Sequence, residues 1–277
     1  MNSFQGGSHV PKVKIAAVQM LSVPRVGENL AAAEKLIAKA AQQDASLVVL
    51  PEYFSIMSRK ESERIKVAED DGQGPIQDFL VEMAKKHRLW LIGGSIPLHS
   101  NNPTKTYNSS LVYNPEGERV ARYDKIHLFG FTKGKEHYNE SKTIEPGAHP
   151  VVVSTPFAKI GLSVCYDLRF PELYRSFGAV DLIVVPSAFT ETTGQVHWEI
   201  LLRARAIENL CYVLAPAQGG KHENGRETYG NSILIDPWGA VMHRLDKGEG
   251  VLVGELDHEK INKVRKSLPA LDHRILP

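Results

Sequence analysis

Three residues of this 277-residue chain have the types that acyl transfer requires: a thiol, a carboxylate and an ammonium group. Cys165 lies in the run Lys159–Glu172, where six residues of strand character end on the thiol and a helix-like stretch begins a few residues later. A thiol at the end of a buried strand faces a cleft, and lowering its pKa would make it a nucleophile at neutral pH. Cys165 is therefore the first candidate for a catalytic side chain.

The carboxylate and the ammonium come from the first half of the chain. Glu52 follows the strand-like run Leu47–Leu50 through a proline. A carboxylate at the tip of a buried strand is costly unless it is paired or used as an acid or base. Lys125 precedes the apolar run Ile126–Phe129, which would direct it toward a cleft rather than into solvent. We therefore group Glu52 and Lys125 with Cys165.

These three groups suit attack on an amide or a nitrile. A free thiol with a pKa of about 8.5 is only a few per cent ionised at pH 7. A neighbouring carboxylate can take the thiol proton and later return it to the departing amine, and a lysine can stabilise both the thiolate and the developing oxyanion. A cysteine–histidine pair is the alternative arrangement, and the 11 histidines of the chain leave it open.

The overall composition argues against polyanionic partners. Lys and Arg total 33 and Asp and Glu total 32, so the net charge of +1 provides no bulk attraction for nucleic acid or an anionic membrane. No apolar run approaches the roughly 20 residues that span a bilayer. The chain also lacks HExxH and Walker-type motifs, so we expect neither a metal nor an organic cofactor.

The cysteine count and the N-terminal segment predict a cytoplasmic protein. Cys165 and Cys211 are too few for a disulfide framework and form no CxxC zinc motif. Cys211 lies in an apolar run and is interpreted as an inert core thiol. Residues 1–11 are polar, without the basic start or apolar core of a signal peptide, and are predicted to be a disordered lead-in.

Strand-like and helix-like segments alternate along the chain. Short apolar runs at Val13–Gln19, Leu47–Leu50 and Trp90–Ile96 are rich in β-branched residues. Between them, Asn29–Gln43 and Ile76–His87 combine helical spacing with many Ala, Glu, Lys and Gln residues. This alternation predicts an α/β protein with helices covering sheets.

The chain also repeats itself. Thr106–Lys125 aligns without a gap with Thr228–Lys247, and eight of 20 positions are identical. Each copy is predicted to be a hairpin around Asn/Asp-Pro-x-Gly, where Pro fixes φ and Gly permits a positive φ. Leu47–Pro51 also resembles Leu182–Pro186, and in each half of the chain this segment precedes the hairpin. Convergence of hairpin turns on Pro-x-Gly is the alternative explanation.

Two similar halves predict two sheets packed face to face with helices outside. This is a four-layer α-β-β-α sandwich, and we expect one domain over residues 12–277. Catalytic residues should break the repeat. Glu52 does so, because its counterpart is Ser187, and the counterpart of Lys125 is Lys247, which precedes a plain loop.

These residues resemble the nitrilase superfamily of carbon–nitrogen hydrolases. The similarity extends from about Lys14 to Arg274 and rests on three motifs in the expected order. They are Leu50-Pro-Glu-Tyr53, Tyr123-Asp-Lys-Ile-His-Leu-Phe129 and Val164-Cys-Tyr-Asp-Leu-Arg-Phe-Pro-Glu172. One such motif alone is weakly specific, but three in order within a duplicated layout are strongly specific.

The resemblance implies a role for each motif residue. Glu52 would be the general base, Lys125 the charge-stabilising residue and Cys165 the nucleophile. A second glutamate shapes the site in this family, and Glu140 fits that position best. The Tyr166 backbone N–H and the Lys125 ammonium would form the oxyanion hole.

Residues around the nucleophile are predicted to contact the substrate: Tyr166, Arg169, Phe189 and Thr190. For Arg169 the alternative is a buried ion-pair set with Asp167 and Glu172 that fixes the turn after the nucleophile. His127 is interpreted as a hydrogen-bonded structural residue rather than a base.

Within the superfamily the chain resembles the branch that contains deaminated glutathione amidase and omega-amidase. The resemblance implies hydrolysis of a linear amide through a thioester on Cys165, releasing 2-oxoglutarate and Cys-Gly from deaminated glutathione. Omega-amidase activity on α-ketoglutaramate, and nitrilase or carbamoylase activity, are alternatives with the same residues. A non-enzymatic scaffold is the alternative from another class.

The family resemblance also implies a homodimer or higher homo-oligomer. We expect the two subunits to meet through the helices Pro171–Phe177 and His197–Glu208. One departure from the family pattern is Gly130, where an aspartate is common. The segment Gly130–Glu136 is therefore predicted to be a flexible loop just before Glu140.

Overall fold

The first strand, β1 (Val13–Gln19), shows why the chain folds in layers. Its side chains alternate, so that Ile15 and Ala17 join one hydrophobic cluster and Ala16 and Val18 join another. A strand with two apolar faces must be covered on both sides. The structure, a computed structural model, describes residues 12–134 and 136–276, so the predicted lead-in over residues 1–11 lies outside the described residues.

Two sheets carry most of the strands. The first has the order β17-β1-β2-β3-β5-β4, with β6 paired to β5. Its other members are β2 (Leu47–Val49), β3 (Trp90–Ile92), β4 (Ile96–His99), β5 (Thr106–Tyr113), β6 (Arg119–Asp124) and β17 (Gly250–Leu256). The second has the order β16-β15-β12-β11-β10-β9. Its members are β9 (Val151–Ser154), β10 (Lys159–Leu162), β11 (Leu182–Val184), β12 (Tyr212–Ala215), β15 (Ile233–Ile235) and β16 (Val241–Arg244).

Two small hairpins and the helices complete the fold. The hairpins are β7 (Gly130–Lys133) with β8 (Glu136–Asn139), and β13 (Gly219–Lys221) with β14 (Glu227–Tyr229). The helices are α1 (Val26–Ala41), α2 (Glu63–Lys66), α3 (Pro75–His87), α4 (Pro171–Ser176), α5 (Glu191–Asn209) and α6 (His258–Ser267). Short 3₁₀ helices occupy Glu140–Lys142 and Cys165–Arg169.

The four predicted layers are present. Helices α1 and α3 share a hydrophobic cluster with the outer face of the first sheet, for example Ile37 and Leu80 against Val48. The inner faces of both sheets meet in the other cluster, where Val49 belongs to the first sheet and Leu162 to the second. Helix α5 covers the outer face of the second sheet and contributes Trp198 to that cluster.

The predicted duplication extends to the strand pairing. In each sheet three strands run parallel, β1-β2-β3 in the first and β10-β11-β12 in the second. An antiparallel strand lies beside the last strand of each set, β5 beside β3 and β15 beside β12. Another antiparallel strand lies beside the first, β17 beside β1 and β9 beside β10. The predicted first hairpin is β5–β6. The second is β15–β16, but Thr228 and Tyr229 belong to β14 instead.

Three predictions about local structure were wrong. The run Trp90–Ile96 is two strands, because the chain turns at Gly94, where φ is +51° and the backbone packs against Pro51. The strand before the nucleophile ends at Leu162, and Cys165 begins a 3₁₀ helix. The segment from Gly130 is hairpin β7–β8 rather than a loop, because Phe131 and Tyr138 are paired across it and both contact Phe129.

Candidate active site

The nucleophile candidate lies at a strained turn beyond strand β10. Cys165 has a backbone φ of +50°, a value that residues other than glycine rarely adopt. Such a conformation costs about 1–3 kcal/mol and persists only where the surroundings hold it. The Cys165 N–H donates a 2.9 Å hydrogen bond to the Pro186 carbonyl, which belongs to the loop after the neighbouring parallel strand β11.

A buried carboxylate fixes this turn. Asp167 accepts hydrogen bonds from the Val164 N–H (2.8 Å) and the Tyr123 hydroxyl (2.7 Å). It also accepts from the His127 N–H (3.0 Å), and His127 Nδ1 lies 2.7 Å away. His127 is hydrogen-bonded, as its interpretation as a structural residue predicts, and Phe170 stacks on its ring. These bonds hold the chain on both sides of Cys165.

The predicted ion-pair set after the nucleophile is not formed. Asp167 is fully buried, but its partners are those above. Arg169 instead donates to His197 Nδ1 at 3.3 Å, and Glu172 is exposed. The prediction was wrong because the guanidinium extends along the aromatic faces of Tyr166 and Phe189 rather than back toward Asp167.

Glu52 lies beyond the end of strand β2, and both of its carboxylate oxygens are hydrogen-bonded. Oε1 accepts from Lys125 Nζ at 2.9 Å and from Asn108 Nδ2 at 3.0 Å. Oε2 accepts from the Ala188 N–H at 2.9 Å, and the charge of this carboxylate lies close enough to the Cys165 thiol to raise its pKa. Because the carboxyl ends of parallel strands carry the sites of α/β folds, the loops after β2, β10 and β11 meet here.

Lys125 bridges two carboxylates. Its ammonium lies 2.8 Å from Glu140 Oε2 and 2.9 Å from Glu52 Oε1, and the side chain is fully buried. Glu140 also accepts from the Tyr53 hydroxyl (2.6 Å) and the Phe129 N–H (2.7 Å). The structure therefore brings all four predicted catalytic residues into one buried set.

The charges of this set control each pKa. Burial raises the pKa of the Cys165 thiol well above its ordinary value, and the Glu52 charge raises it further, while the Lys125 charge opposes both. Burial alone would lower the pKa of the Lys125 ammonium, but Glu140 and Glu52 outweigh it and raise the pKa. Burial raises the pKa of Glu140, but Lys125 outweighs it and keeps this carboxyl ionised. The resting thiol is therefore protonated and has an acceptor for its proton beside it.

The four predicted substrate contacts line a slot above the thiol. Tyr166, Arg169, Phe189 and Thr190 surround it together with Phe129 and Arg226. The slot holds about 10 Å³, room for about one water molecule. The Thr190 hydroxyl is engaged at the start of helix α5, where it accepts from the Thr193 N–H and lies 2.8 Å from the Thr193 hydroxyl.

Several residues of the site were missed from the sequence. Asn108 holds Glu52, Tyr53 holds Glu140, and the backbone N–H groups of Phe129 and Ala188 contribute without any side-chain signal. A signal did exist for Asn108, because its counterpart in the repeat is Gly230. The comparison that singled out Glu52 would have found Asn108 as well.

The second cysteine is separate from this site. Cys211 is fully buried in the core, and burial strongly raises the pKa of its thiol. No group of three or more His, Cys, Asp or Glu side chains within residues 12–134 and 136–276 is placed to hold a metal ion. Over the same residues, no helix combines the length and the apolar character needed to cross a membrane.

A four-layer sandwich with a thiol beside a buried Glu–Lys–Glu set defines a hydrolase of carbon–nitrogen bonds. The carbon–nitrogen hydrolase family model matches residues 14–266, and the chain belongs to this family. A deaminated glutathione amidase from Synechocystis is 41% identical over 266 residues, covering 94% of this chain and 97% of that protein. The human deaminated glutathione amidase is 38% identical over 267 residues, covering 94% and 81%.

Solved structures give the same assignment. Saccharomyces cerevisiae Nit3, a member of branch 10 of the nitrilase superfamily, is 33% identical and superposes with a TM-score of 0.83. The alignment covers 93% of this chain and 94% of Nit3. The predicted superfamily and the predicted α-β-β-α fold are confirmed.

Proposed function

We propose that this chain is a cysteine-dependent amidase that hydrolyses deaminated glutathione to 2-oxoglutarate and Cys-Gly. One observation carries the proposal: the Cys165 thiol shares a slot with the Glu52 carboxylate, which is itself fixed by a fully buried ammonium. The names of the Synechocystis and human relatives support this choice of substrate.

The first half of the reaction forms a thioester. Because the resting thiol is protonated, Glu52 takes its proton while Sγ attacks the amide carbonyl carbon. The carbonyl oxygen becomes an oxyanion, which the Lys125 ammonium and the Tyr166 N–H stabilise. That N–H lies in the first turn of the 3₁₀ helix, where intrahelical carbonyl partners are lacking. Glu52 then protonates the leaving nitrogen, and the carbon–nitrogen bond breaks.

The second half releases the acid. Water attacks the thioester carbonyl and Glu52 takes one of its protons. The carbon–sulfur bond breaks, and the Cys165 thiolate regains the proton from Glu52. Glu140 acts throughout as a positioning residue, because it holds the Lys125 ammonium that also contacts Glu52.

Arg169 is the residue we propose to bind the carboxylate of the acyl part. It lines the slot, and within the described chain it forms no ion pair; its polar partner is His197. The His197 pKa is lowered by burial and by the Arg169 charge, so this partner stays neutral and leaves the guanidinium uncompensated. Phe189 and Tyr166 would hold the intervening carbon chain.

The experiment is a side-by-side assay of purified protein with deaminated glutathione, α-ketoglutaramate, a simple nitrile and an N-carbamoyl amino acid. We expect the highest kcat/KM for deaminated glutathione. A higher value for α-ketoglutaramate would make the protein an omega-amidase. Preference for the nitrile or the carbamoyl substrate would contradict the proposal.

We also propose that the protein is a homodimer joined through helices α4 and α5. Val196, Ile200 and Ile207 lie exposed along α5, and Ile200 is 71% exposed. A row of exposed apolar residues on one helix is typical of an interface. An Ile200→Asp variant should be a monomer by light scattering if this helix joins the two copies.

For the cellular location of the protein we propose the cytoplasm, since both thiols are free. Cell fractionation tests this proposal.

A further inference from the structure

A second and larger cavity adjoins the slot. It holds about 530 Å³, and Arg226 lines both spaces. Its other walls come from the segment Met57–Arg64, from hairpin β7–β8 and from the start of helix α5. We call this space the outer cavity. The established family activity assigns it no ligand.

Arg64 is a buried cation on the wall of the outer cavity. Its side chain is only 7% exposed, and its Nε has no hydrogen-bond partner. In the described parts of the chain no carboxylate lies within ion-pairing distance of it; its guanidinium instead lies 4.6 Å from the centre of the Tyr53 ring. A cation–π contact offsets only part of the cost of burying an unpaired charge.

The other buried cations of the described chain are treated differently. Lys125 is paired with two carboxylates. Arg205 is paired with Glu208 and donates to the Leu168 carbonyl. Since removing one partner of a buried ion pair is strongly destabilising, an unpaired buried guanidinium is exceptional. The charges of Glu140, Glu61 and Glu52 act on Arg64 from a longer range and raise its pKa, but none of them contacts it. A carboxylate ligand would supply the direct contact that the described chain does not.

Arg226 faces the same space. Its Nη2 donates to the Ala188 carbonyl at 2.7 Å, and its guanidinium carbon lies 5.1 Å from the centre of the Tyr138 ring. Its Nε is buried without a hydrogen-bond partner, and within the described residues it forms no ion pair. Arg226 thus connects the loop that holds Glu52 with the outer cavity.

Four glutamates also line the outer cavity, and none forms an ion pair with Arg64 or Arg226. Glu136 accepts from the Thr192 hydroxyl at 2.8 Å, and Glu191 is paired with Lys247 at 2.9 Å. The other two are Glu61, which is half-buried, and Glu227, which is exposed. These four glutamates would repel a ligand with several negative charges. A ligand with a single carboxylate placed against Arg64 and Arg226 would not be repelled in this way.

We propose that Arg64, with Arg226, binds a carboxylate on the leaving-group side of the amide substrate. The outer cavity then selects peptide-like amines that end in a free carboxylate. This inference rests on the proposed amidase function and names the feature of the leaving group that the site recognises.

The dimensions of the site agree with such a ligand. Tyr53 contacts Arg64 through its ring and donates to Glu140 through its hydroxyl at 2.6 Å, so one tyrosine side chain separates the guanidinium from the catalytic set. A dipeptide in extended conformation spans roughly 7 Å. A dipeptide leaving group therefore has a length of the right order to place its terminal carboxylate at Arg64 while its nitrogen lies at the slot.

The first test compares two substrates with the unaltered protein. One is deaminated glutathione, and the other is the same molecule with its terminal glycine carboxylate replaced by a carboxamide. We expect kcat/KM to be about 10- to 100-fold higher for the acid, the range for one hydrogen bond to a charged group. Equal values would overturn the inference and leave the amidase proposal standing. Hydrolysis of neither would contradict the amidase proposal itself.

The second test assigns the preference to Arg64. In Arg64→Met and Arg64→Gln the ratio of kcat/KM for acid over carboxamide should fall toward one, chiefly through KM for the acid. Arg59→Met is the matched control, because Arg59 lines the same cavity but is exposed and lies 3.6 Å from Glu223. An unchanged ratio in the folded Arg64 variants, or an equal fall in the Arg59 variant, would overturn the assignment. Circular dichroism establishes whether each variant is folded. If neither Arg64 variant folds, the comparison of acid and carboxamide substrates with the unaltered protein decides the inference.

Discussion

The ammonium of Lys125 lies 2.9 Å from Oε1 of Glu52, and neither side chain is reached by solvent to any useful extent. This contact fixes the direction of the carboxylate, whose second oxygen is held by the Ala188 N–H. The acid–base group therefore cannot rotate away from the thiol.

The thiol itself gives the first prediction. Cys165→Ala should lower kcat by at least about 10⁴-fold, as loss of a catalytic nucleophile does. Incubation with substrate followed by rapid acid quench should show an acyl adduct by intact-protein mass spectrometry, located on Cys165. Cys211→Ala and Lys247→Ala are the controls, and both should retain activity. A Cys165→Ala variant with full activity would refute the thioester mechanism.

Removing the charge of Glu52 should change activity and thiol ionisation in opposite directions. Glu52→Gln should lower kcat by about 10²- to 10⁴-fold, the range for a general base. The same substitution should lower the pKa of the Cys165 thiol, because after burial the Glu52 charge is the next largest cause that raises it. The pH dependence of iodoacetamide alkylation, measured in a Cys211→Ala background, checks the second outcome. An unchanged alkylation profile would show that Glu52 does not control the thiol.

Loss of Lys125 should destabilise the fold as well as the reaction. Lys125→Met leaves Glu52 and Glu140 buried without their cation, and breaking such a pair costs about 3–5 kcal/mol. Adding Glu140→Gln to this variant should recover part of the loss, as measured by urea unfolding. The counterpart Lys247→Met should lose less than about 1 kcal/mol, because Lys247 forms a surface ion pair with Glu191. Similar losses in both lysine variants would contradict the prediction.

Asp167 should be essential for the turn at the nucleophile. Asp167→Asn cannot accept all of the hydrogen bonds from Val164, Tyr123 and His127, and each buried donor left without a partner costs about 1–3 kcal/mol. We expect a loss of at least about 2 kcal/mol in unfolding free energy and reduced alkylation of Cys165. Glu172→Gln, an exposed acid in the same motif, serves as the control and should change stability by about 0.5 kcal/mol or less.

Acid sensitivity should come partly from His222. Burial lowers its pKa to about 4, and both ring nitrogens are engaged, with the Ser22 carbonyl and the Thr228 hydroxyl. An unfolded histidine has a pKa of about 6.5, so the unfolded state binds the extra proton first and stability falls as the pH drops from about 6.5 to 4. The loss reaches about 3 kcal/mol.

The measurement is urea unfolding at several pH values between 7 and 4. The slope of unfolding free energy against pH should be smaller in His222→Gln. His137→Gln, a change at an exposed histidine, should leave the slope unaltered. An equal slope in the His222 variant and the unaltered protein would show that this proton is not linked to folding.

The layered fold could be predicted from the sequence because its periodicities are long and repeated. Alternation of strands and helices, and a hairpin copied 122 positions later, already require two similar sheets. What the sequence did not specify was where strands stop. The turn at Gly94 depends on contact with Pro51, and the strand β10 ends before Cys165 because Asp167 captures the Val164 N–H.

The side-chain chemistry of the site was predictable, but its electrostatics were not. Glu52, Lys125, Glu140 and Cys165 were named from residue types, the repeat and the family motifs. The raised thiol pKa follows from burial beside a carboxylate, which only the packed structure determines. The role of Ala188 is a backbone property, and the lack of a hydrogen-bond partner at Arg64 Nε is visible only once the surrounding side chains are placed.

Strand order along the chain also decides when the site comes into existence. In the second sheet the flanking strand β9 comes directly before its partner β10 in the chain. In the first sheet the equivalent flanking strand is β17, which is made about 230 residues after its partner β1. The first sheet therefore stays open during synthesis until the segment Gly250–Leu256 has left the ribosome. A nascent chain that already carries Cys165 still lacks this strand of the partner sheet, so we expect the complete site to form only after Gly250–Leu256 has been made.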